Sequence, residues 1–450
     1  MIVIDHHRCI YCGGCVSVCP VEALTLAETR LVVNSDCMDC GNCVTACPAG
    51  ALRLEPIGPP GREAPFRCRY DLVVVGAGPG GSTAAHVAAQ AGLSVLLLEK
   101  RQEIGAPVRC AEGVGHDQLL PFIEPDPRWI AAEVNQAEIT ATAGGATRTL
   151  RAANGRGYIL ERRVFDRVLA ERAAQAGSEV RVKTAATGLL MEEGHVRGVR
   201  IRHGDFFAGS GQVEVEAQVV IAADGVEAQV GRWAGLDLQL PLEDTMVCVQ
   251  YLLAGIDIDP TCTCYTINHE LAPGGYAWIF PKGERKANVG LGVQADLWQG
   301  AIAHLPSGGP GAIGDGTVLG HLTRFIEAHP FLAQGYPVTL VAGNVPVALP
   351  PAALATDGLM LVGDAARQVD PLTGGGIINA MTAGQLAAQV AVEAIAAGDT
   401  SAGFLGRYQE AWHRSVGRKM QRNYRLREKF PSAQRADERF VRAFALAAGR

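Results

Sequence analysis

Eight of the thirteen cysteines in the sequence fall into two copies of one pattern. The pattern, C-x2-C-x2-C-x3-C-P, contains Cys9, Cys12, Cys15 and Cys19, and 28 residues later Cys37, Cys40, Cys43 and Cys47. Soft thiolates are preferred ligands of iron–sulfur clusters, and two-residue gaps let one loop reach three corners of a cubane. Zinc bound by two C-x2-C pairs would leave four cysteines and both prolines without a role. The spacing therefore predicts two [4Fe-4S] clusters.

In this pattern the fourth cysteine of each run binds the cluster of the other run. We therefore expect one cluster on Cys9, Cys12, Cys15 and Cys47, and the second on Cys37, Cys40, Cys43 and Cys19. This stretch resembles the bacterial two-cluster ferredoxins, including short strands around Val3 and Val32. His6 and His7 are expected at the surface and not as ligands. A module of this kind transfers electrons.

A glycine-rich turn follows an apolar strand at residues 72–75 and precedes a helix and a second strand. Gly76 is expected to permit a tight turn, Gly78 to let the backbone approach a pyrophosphate, and Gly81 to let helix and strand pack closely. The positive end of the helix then faces the phosphates. Glu99, 23 residues after Gly76, can accept hydrogen bonds from an adenosine ribose. These features together predict a dinucleotide site.

Two further strand ends favour FAD over NAD. An apolar strand at residues 359–362 leads to Asp364, and three glycines ending at Gly376 open a helix. An Asp at this position can hold the ribityl hydroxyls of a flavin, and a helix N-terminus can stabilise negative charge at the N1/O2 edge of the reduced ring. Another strand ends at Asp224. Three such segments in this order resemble the FAD-binding fold of the hydroxybenzoate-hydroxylase and glutathione-reductase type.

From Tyr70 to about residue 395 the chain is similar to the geranylgeranyl reductase family, which includes enzymes that saturate archaeal membrane-lipid precursors. The similarity is carried by GAPVRCAEGV (105–114), LERRVFDRVLAERAAQAG (160–177), GGYAWIFPKG (274–283) and GDAARQVDPLTGGGI (363–377). The resemblance implies flavin contacts from Gly80, Glu99, Cys110, Ala111, Gly113, Arg162, Ala186, Asp364, Gly376 and Ile377. Arg163 is an equal alternative to Arg162 in this register.

Alternating patterns between about residues 241 and 340 predict an antiparallel sheet laid over the flavin. Tyr276, Trp278 and Phe280 recur at period 2, so they project from one face of a strand that ends at Pro281. Taken alone, this spacing is typical of an aromatic core stripe. The resemblance implies instead that the YxWxFP segment lines the cavity that receives an isoprenoid, with recognition mostly by apolar burial.

The remaining cysteines differ in their surroundings. The resemblance implies that Cys110 lies at the flavin face, so Cys110 and Tyr276 are the candidate catalytic residues, beside flavin-bound water, for donating a proton. Cys248, Cys262 and Cys264 fall within strand patterns and are expected to be packing residues.

Beyond residue 396 the pattern predicts helices. The segment 413–430 contains one acidic residue, Glu428, and seven Lys or Arg residues: Arg414, Arg418, Lys419, Arg422, Arg425, Arg427 and Lys429. A solvated helical face is one interpretation. The other is peripheral contact with an anionic bilayer or lipid head group, worth about 1 kcal/mol per basic residue.

Composition limits the functional classes. A net charge of −6 gives no reason to expect nucleic acid as a partner. We expect no signal peptide, since the cysteine motif begins almost at once, and no run of apolar residues is long enough to span a membrane. Cysteines spaced for clusters indicate that the protein is located in a reducing cytoplasm. Peripheral association with the inner face of the membrane is compatible with this location.

The predicted fold is α/β. We expect an α+β ferredoxin-type module, a Rossmann-like FAD-binding domain, an antiparallel-sheet substrate domain and C-terminal helices. The corresponding ranges are 1–58, a linker at 59–69, 70–240 with 341–395, 241–340, and 396–450.

The predicted function is that of an FAD-dependent iron–sulfur oxidoreductase. Electrons from reduced ferredoxin or a similar low-potential donor would pass through two [4Fe-4S] clusters to FAD, which would reduce carbon–carbon double bonds of a polyprenyl lipid or a prenylquinone side chain. One alternative is a quinone reductase resembling the electron-transfer flavoprotein–quinone oxidoreductases. Others are an electron-transfer subunit of a larger complex and, less compatible with the clusters, a flavin monooxygenase.

Overall fold

The computed structural model describes residues 2–27, 30–34, 36–54, 68–143, 145–203, 212–297 and 317–448. Most of the predicted linker and part of the predicted substrate domain lie outside the described residues.

The cysteine-rich module consists of two similar halves. Its elements are β1 (Ile2–Ile4), α1 (Gly14–Ser17), β2 (Leu24–Ala27), β3 (Arg30–Val33), α2 (Asn42–Thr45) and β4 (Leu52–Leu54). β1 pairs with β4 and β2 with β3, both antiparallel. Gly13 and Gly41 precede the two short helices at φ +75° and +81°, a left-handed conformation that favours glycine. The strands predicted around Val3 and Val32 are therefore present.

The first large sheet carries the glycine-rich turn. It contains β5 (Arg69–Val75), β6 (Val95–Leu98), β10 (Glu179–Arg181), β11 (Thr184–Glu192), β12 (His195–His203), β13 (Gln212–Ala222), β19 (Ala355–Thr356) and β20 (Leu359–Leu361). The order is β10-β6-β5-β13-β12-β11, and β20 also pairs with β13. β10, β6, β5, β13 and β20 are parallel, so the predicted FAD-binding strands end at one edge.

Helices cover this sheet. They are α3 (Pro79–Gln90), α5 (Arg162–Gln175), α6 (Gln229–Trp233) and α9 (Ile377–Ala397). The α3 helix packs against α9 through small residues: Gly384 approaches the backbone of Gly80 so closely that a Cβ would lie 2.1 Å from its carbonyl oxygen. This contact brings the N-terminal ends of both helices to the same region.

The second large sheet is mixed and mainly antiparallel. Its strands are β7 (Gly113–Gly115), β8 (Ile130–Ala143), β9 (Ala146–Leu160), β14 (Thr245–Ala254), β15 (Cys262–Asn268), β16 (Tyr276–Pro281), β17 (Lys286–Gln294) and β18 (Tyr336–Pro346). The order is β18-β14-β17-β16-β15-β8-β9-β7, with β15 parallel to β8. Residue 240 is the predicted end of the first part of the FAD-binding domain. The sheet expected over the flavin contains β7–β9 from before this residue and β14–β18 from after it.

Smaller helices complete the chain. α4 (His116–Leu119) follows β7, α7 (Val318–Glu327) and α8 (Pro330–Ala333) precede β18, and α10 (Ala402–Leu405), α11 (Arg407–Trp412), α12 (Arg418–Lys429) and α13 (Glu438–Ala448) follow α9. A π-helical turn at His413–Gly417 joins α11 to α12. Within the described ranges, none of the helices is both long and apolar enough to span a bilayer.

Candidate functional site

One of the two predicted cysteine sets surrounds a small cavity. Cys9, Cys12, Cys15 and Cys47 line it together with apolar residues such as Leu31. In the described residues no three His, Cys, Asp or Glu side chains converge closely enough to hold a single metal ion. A cubane instead needs four thiolates arranged around shared space, which is the arrangement around this cavity. These residues therefore fit a [4Fe-4S] cluster, with the fourth ligand coming from the other run.

The second cysteine set is related to the first by the internal repeat. In each half, the fourth cysteine of the run, which is expected to bind the cluster of the other run, accepts a hydrogen bond from the backbone N–H of the residue four positions later. Cys19 accepts from Ala23 and Cys47 accepts from Ala51, both at 3.2 Å. Such N–H···S bonds tune cluster potentials. Cys12 and Cys40 are both exposed, but the second run also contains Met38, which is 61% exposed, so this half of the module presents apolar surface to solvent.

The first half of the module contacts the FAD-binding sheet. The Lys183 ammonium lies 4.8 Å from the centre of the Tyr11 ring, and Arg202 Nη1 lies 2.6 Å from His7 Nε2. Tyr11 lies between Cys9 and Cys12, whereas Lys183 directly precedes Thr184 of β11, which lines the large cavity. His7 is exposed as expected, and it also belongs to this contact.

A cavity of about 940 Å³ lies between the two large sheets. Every residue predicted to contact the flavin lines it: Gly76, Gly78, Gly80, Gly81, Glu99, Cys110, Ala111, Gly113, Arg162, Ala186, Asp364, Gly376 and Ile377. Arg163, the alternative to Arg162, instead points away and forms a two-bond ion pair with Glu103.

The glycine turn is shaped for close approach. A Cβ on Gly76, at φ +108°, would lie 2.3 Å from the carbonyl oxygen of Ala223, and one on Gly81 would lie 1.9 Å from that of Gly76. A Cβ on Gly78 would meet nothing within 4 Å. Gly76 and Gly81 are thus required by the protein's own packing, whereas Gly78 keeps open the space that a pyrophosphate would occupy. This cradle fits FAD.

The polar side chains of the cavity are partly satisfied. Glu99 accepts hydrogen bonds from the backbone N–H groups of Ala77 (3.3 Å) and Arg101 (2.9 Å), which fixes its carboxylate at the strand end. Among the described residues Asp224 Oδ1 is buried without a hydrogen-bond partner, and burial raises the pKa of Asp224. Burial also raises the pKa of Asp364. A buried carboxyl oxygen such as Asp224 Oδ1, which faces the cavity, fits a polar ligand there.

Arg162 is the buried cation of the flavin region. Its Nε and Nη2 each donate to Asp166 at 2.7 Å. Burial opposes its charge, but the Asp166 carboxylate more than offsets burial and raises the pKa of Arg162. The Arg162 guanidinium therefore remains charged beside Cys110.

The turn at 370–376 places the N-terminus of α9 at the cavity. Asp370 Oδ1 accepts from the backbone N–H groups of Leu372 (3.0 Å) and Thr373 (3.1 Å). The backbone N–H of Gly374 donates to the Asp370 carbonyl at 2.8 Å. Gly376 precedes the first residue of this 21-residue helix. The positive end of the helix therefore faces the space in which the N1/O2 edge of a flavin was predicted.

The Cys110 segment is held by the second sheet. Gln250 donates to the carbonyl of Cys110 (3.2 Å) and Asn288 to that of Ala111 (3.3 Å). Glu112, 1% exposed and at φ +74°, accepts from Asn288 (2.8 Å) and from Lys282. The sequence patterns contain no signal for this buried Glu112–Lys282 ion pair. Burial raises the pKa of Cys110, so its thiol holds a proton at neutral pH.

An aromatic wall closes the other side of the cavity. Tyr276, Trp278 and Phe280 of β16 line it as expected, whereas Pro281 is buried, pairs with Ala287 and is not among the lining residues. Burial raises the pKa of Tyr276 well above its ordinary value, and its hydroxyl donates to the carbonyl of Thr373. Tyr276 is therefore a neutral phenol already engaged as a donor.

Other wall residues went unpredicted. Tyr265 of β15 lies 5.7 Å from Tyr276 between ring centres, and Phe444 of α13 lies 5.3 Å from Tyr276. Phe440 and Phe444 line the cavity at the i, i+4 spacing of one helix face, which is the signal that could have identified them. Cys248, expected to be a packing residue, also lines the cavity, and burial raises its pKa to about 12.

The basic segment near the C-terminus is mostly solvated. Arg418, Arg422 and Arg425 are exposed, in accord with a solvated helical face. Arg427 departs from this interpretation because its side chain is 8% exposed and pairs with Asp244 at 3.0 Å.

Comparisons with known proteins decide the family. The digeranylgeranylglycerophospholipid reductase of Methanosphaerula palustris is 47% identical over 369 residues, 81% of this chain and 87% of its own. The corresponding protein of Methanothrix thermoacetophila is 48% identical over 80% of this chain and 88% of its own. The chain belongs to the geranylgeranyl reductase family.

Matches to individual domains agree with this family. Residues 244–304 match the geranylgeranyl reductase catalytic domain, 128–273 an FAD binding domain, 74–118 an NAD(P)-binding Rossmann-like domain and 1–48 a 4Fe-4S dicluster domain. The protein is therefore an FAD-dependent oxidoreductase that also carries two [4Fe-4S] clusters, and the predicted α/β fold is confirmed.

Solved structures of this family and of other flavoproteins share the fold. A geranylgeranyl bacteriochlorophyll reductase-like protein from Thermoplasma acidophilum superposes with a TM-score of 0.74 at 41% identity, covering 85% of this chain and 92% of its own. The flavin-dependent brominase Bmp2 superposes with a TM-score of 0.61 at 18% identity, over 85% of this chain and 94% of its own, which shows the fold alone.

Proposed function

We propose that this reductase saturates carbon–carbon double bonds in a polyprenyl chain of the geranylgeranyl type. The observation that carries the proposal is the continuity of the cavity: the flavin-binding residues and the aromatic wall of Tyr265, Tyr276 and Phe444 line one space. An apolar cavity of this kind binds a hydrocarbon by burial. Relatives 44–48% identical that are named digeranylgeranylglycerophospholipid reductase support the same substrate class.

Bound FAD supplies the chemistry, taking up single electrons and giving up a hydride. An isolated alkene has no carbonyl to hold negative charge, so its reduction would require positive charge to develop on one carbon of the double bond. Aromatic rings such as Tyr265 and Phe280, which line the cavity with their centres 5.2 Å apart, can stabilise such a centre because aromatic rings attract cations.

Two side chains of the wall hold a proton at neutral pH. The Tyr276 hydroxyl is committed to the Thr373 carbonyl, whereas Cys110 Sγ accepts from the backbone N–H of Glu112 at 3.2 Å and keeps its own S–H proton available. We assign the proton-donating role to Cys110, with Tyr276 positioning the glycine turn. Because Cys110 Sγ lies beside the Arg162 guanidinium, the thiolate left after proton transfer is stabilised.

Electrons are proposed to come from reduced ferredoxin or a similar low-potential protein. The solvent-facing half of the module, with exposed Cys40 and Met38, is the side a donor can reach. The half that holds Cys9 and Cys12 contacts the FAD-binding sheet through Tyr11 and Lys183. Lys183→Ala should therefore slow FAD reduction by reduced ferredoxin several-fold, and leave FAD reduction by a small diffusible reductant unchanged.

Peripheral contact with a membrane is proposed as the route of substrate supply. Arg418, Arg422 and Arg425 are exposed on α12, and Leu446 is 60% exposed on α13. Basic residues near an anionic surface contribute about 1 kcal/mol each, which suffices for reversible docking. Sedimentation with anionic vesicles, but not with neutral ones, is the expected result.

The deciding experiment is anaerobic incubation of the reduced holoenzyme with a geranylgeranyl lipid and, separately, with menaquinone. Mass spectrometry should find two added hydrogen atoms for each reduced double bond of the prenyl chain. A reduced enzyme that is reoxidised by a quinone with a saturated tail, while every prenyl chain stays unsaturated, would contradict the proposal and favour a quinone reductase.

A further inference from the structure

Arg435 is a buried arginine in the cavity wall, between α12 and α13. Its residue surface is 7% exposed. Its Nε donates to the carbonyl of Phe430 at 3.2 Å and its Nη1 to the carbonyl of Gly274. In the described ranges no ion pair includes Arg435, and its Nη2 has no acceptor. A guanidinium in this position lacks the negative charge that normally accompanies a buried cation.

The other buried arginines of the cavity differ from Arg435 in this respect. Arg162 is paired with Asp166 at 2.7 Å and Arg427 with Asp244 at 3.0 Å. Burial and the nearby Arg427 lower the pKa of Arg435 to about 10, so its side chain is still charged at neutral pH. Its positive charge is therefore available to a ligand.

A second cation lines another part of the same cavity. Lys419 of α12 is half-buried, lines the cavity and forms no ion pair with the part of the chain that the structure describes. The nearby carboxylate of Asp370 is occupied by two backbone N–H groups and by Asn423, which donates to it at 2.7 Å. Among the described residues, Asp370 therefore forms an ion pair with neither Lys419 nor Arg435.

Apolar surface begins directly beside Arg435. The Arg435 guanidinium lies 5.6 Å from the centre of the Phe440 ring, and Phe440, Phe444, Ala447 and Ala448 of α13 line the cavity onward. At a rise of about 1.5 Å per residue, the stretch 440–448 forms roughly 13 Å of wall. The wall thus has a cationic end and a long apolar side, which matches an amphiphile with an anionic head.

We propose that Arg435 binds the phosphate group of a prenyl lipid whose hydrocarbon chain lies along α13. The inference rests on the proposed function, since it concerns the head group of the same substrate. The donors of a guanidinium match phosphate oxygens in geometry, and a neutral head such as a quinone would leave the cation unpaired. The site therefore favours phospholipid precursors over prenylquinones.

The test compares ligands that share one tail. The oxidised holoenzyme is titrated with geranylgeranyl phosphate, with geranylgeraniol and with inorganic phosphate, and binding is followed by the change in FAD absorbance or by calorimetry. Geranylgeranyl phosphate should bind about tenfold more tightly than the alcohol, because a hydrogen bond to a charged group contributes that much. Inorganic phosphate should bind weakly and compete with the lipid, which separates recognition of the head from recognition of the whole lipid.

Variants assign the preference to the side chain. Arg435→Met should bind geranylgeranyl phosphate and geranylgeraniol equally, and Arg435→Lys should keep part of the preference. Arg442→Met is the matched control, because Arg442 lies on the exposed face of α13 and pairs with Glu438. The control should retain the full preference. The inference would be overturned if wild-type enzyme bound both lipids equally, or if Arg435→Met kept the wild-type preference. The wild-type comparison needs no variant, so it holds even if a variant fails to fold.

Failure of this site is distinguishable from failure of the proposed function. An enzyme that hydrogenates both lipids but does not prefer phosphate would retain the function and lose the head-group site. An enzyme that prefers phosphate yet hydrogenates neither tail would retain the site and lose the function.

Discussion

Asn423 of α12 donates a hydrogen bond to Asp370 at 2.7 Å, although the two residues are 53 positions apart in the chain. Both side chains are buried, and the other carboxylate oxygen of Asp370 holds the backbone of the turn before α9. The C-terminal helices are therefore tied to the turn that faces the flavin. The glycine-rich segment 374–376 owes its shape partly to a helix near the end of the chain.

Removing this link should weaken both the fold and the flavin site. Asn423→Ala leaves one buried Asp370 oxygen without a donor, which costs about 1–3 kcal/mol. We expect a lower free energy of unfolding and a faster loss of FAD on dilution, measured by chemical denaturation and flavin fluorescence. Gln175→Ala, an exposed position on α5, is the control and should change neither quantity. Unchanged FAD release in Asn423→Ala would separate α12 from the flavin site.

Two glycine substitutions should separate folding from cofactor binding. Gly81→Ala places a Cβ within 1.9 Å of the Gly76 carbonyl oxygen, so the variant should fold poorly. Gly78→Ala meets nothing within 4 Å and should fold normally, but its methyl group should weaken FAD binding by about tenfold or more because it occupies pyrophosphate space. Thermal unfolding and FAD titration of the apoprotein measure the two effects. Normal FAD affinity in Gly78→Ala would argue against a pyrophosphate at this turn.

The Glu112–Lys282 pair should behave as a buried ion pair. Its side chains are 1% and 9% exposed, so Lys282→Met leaves the Glu112 charge buried with fewer partners and should cost about 3–5 kcal/mol in the free energy of unfolding. The double variant Glu112→Gln with Lys282→Met should recover part of this loss. For comparison, Arg156→Ala breaks an exposed pair with Glu133 and should cost at most about 1 kcal/mol. Additive single and double effects would contradict direct coupling.

The cavity thiols should resist alkylation at neutral pH. Thiolate, not thiol, reacts with iodoacetamide, and burial raises the pKa of Cys110 and, to about 12, that of Cys248. At pH 8 both should react at least about tenfold more slowly than exposed Cys68, and their rates should rise as pH approaches the raised pKa values. Peptide mapping by mass spectrometry under anaerobic conditions measures each rate. Equal labelling of Cys110 and Cys68 at pH 8 would show that Cys110 is not protonated as proposed.

Local spacing predicted much of the fold and the cofactor sites. The cysteine runs, the turn from Gly76 to Gly81 and the strand before Asp364 each lie within one short segment, and their residue types have few other physical explanations. The same holds for the alternating aromatic residues of β16. These features therefore needed no knowledge of how distant parts of the chain meet.

The rest depends on pairings that short-range patterns do not encode. Lys282 meets Glu112 across 170 residues, and a lone acid or base in the sequence carries no sign that it will be buried. The basic segment around Arg427 has the composition of a solvated face, yet one turn of it packs against Asp244. The i, i+4 spacing of Phe440 and Phe444 on α13 is visible in the sequence. Only the folded chain shows that this face of the helix lines the cavity.

The bonds from Gln250 and Asn288 to the Cys110–Ala111 backbone have a mechanical consequence. They join a loop of the dinucleotide-binding half to two strands of the opposite half. The position of Cys110 in the cavity therefore depends on both halves of the protein, and a substitution in either strand should displace this segment of backbone.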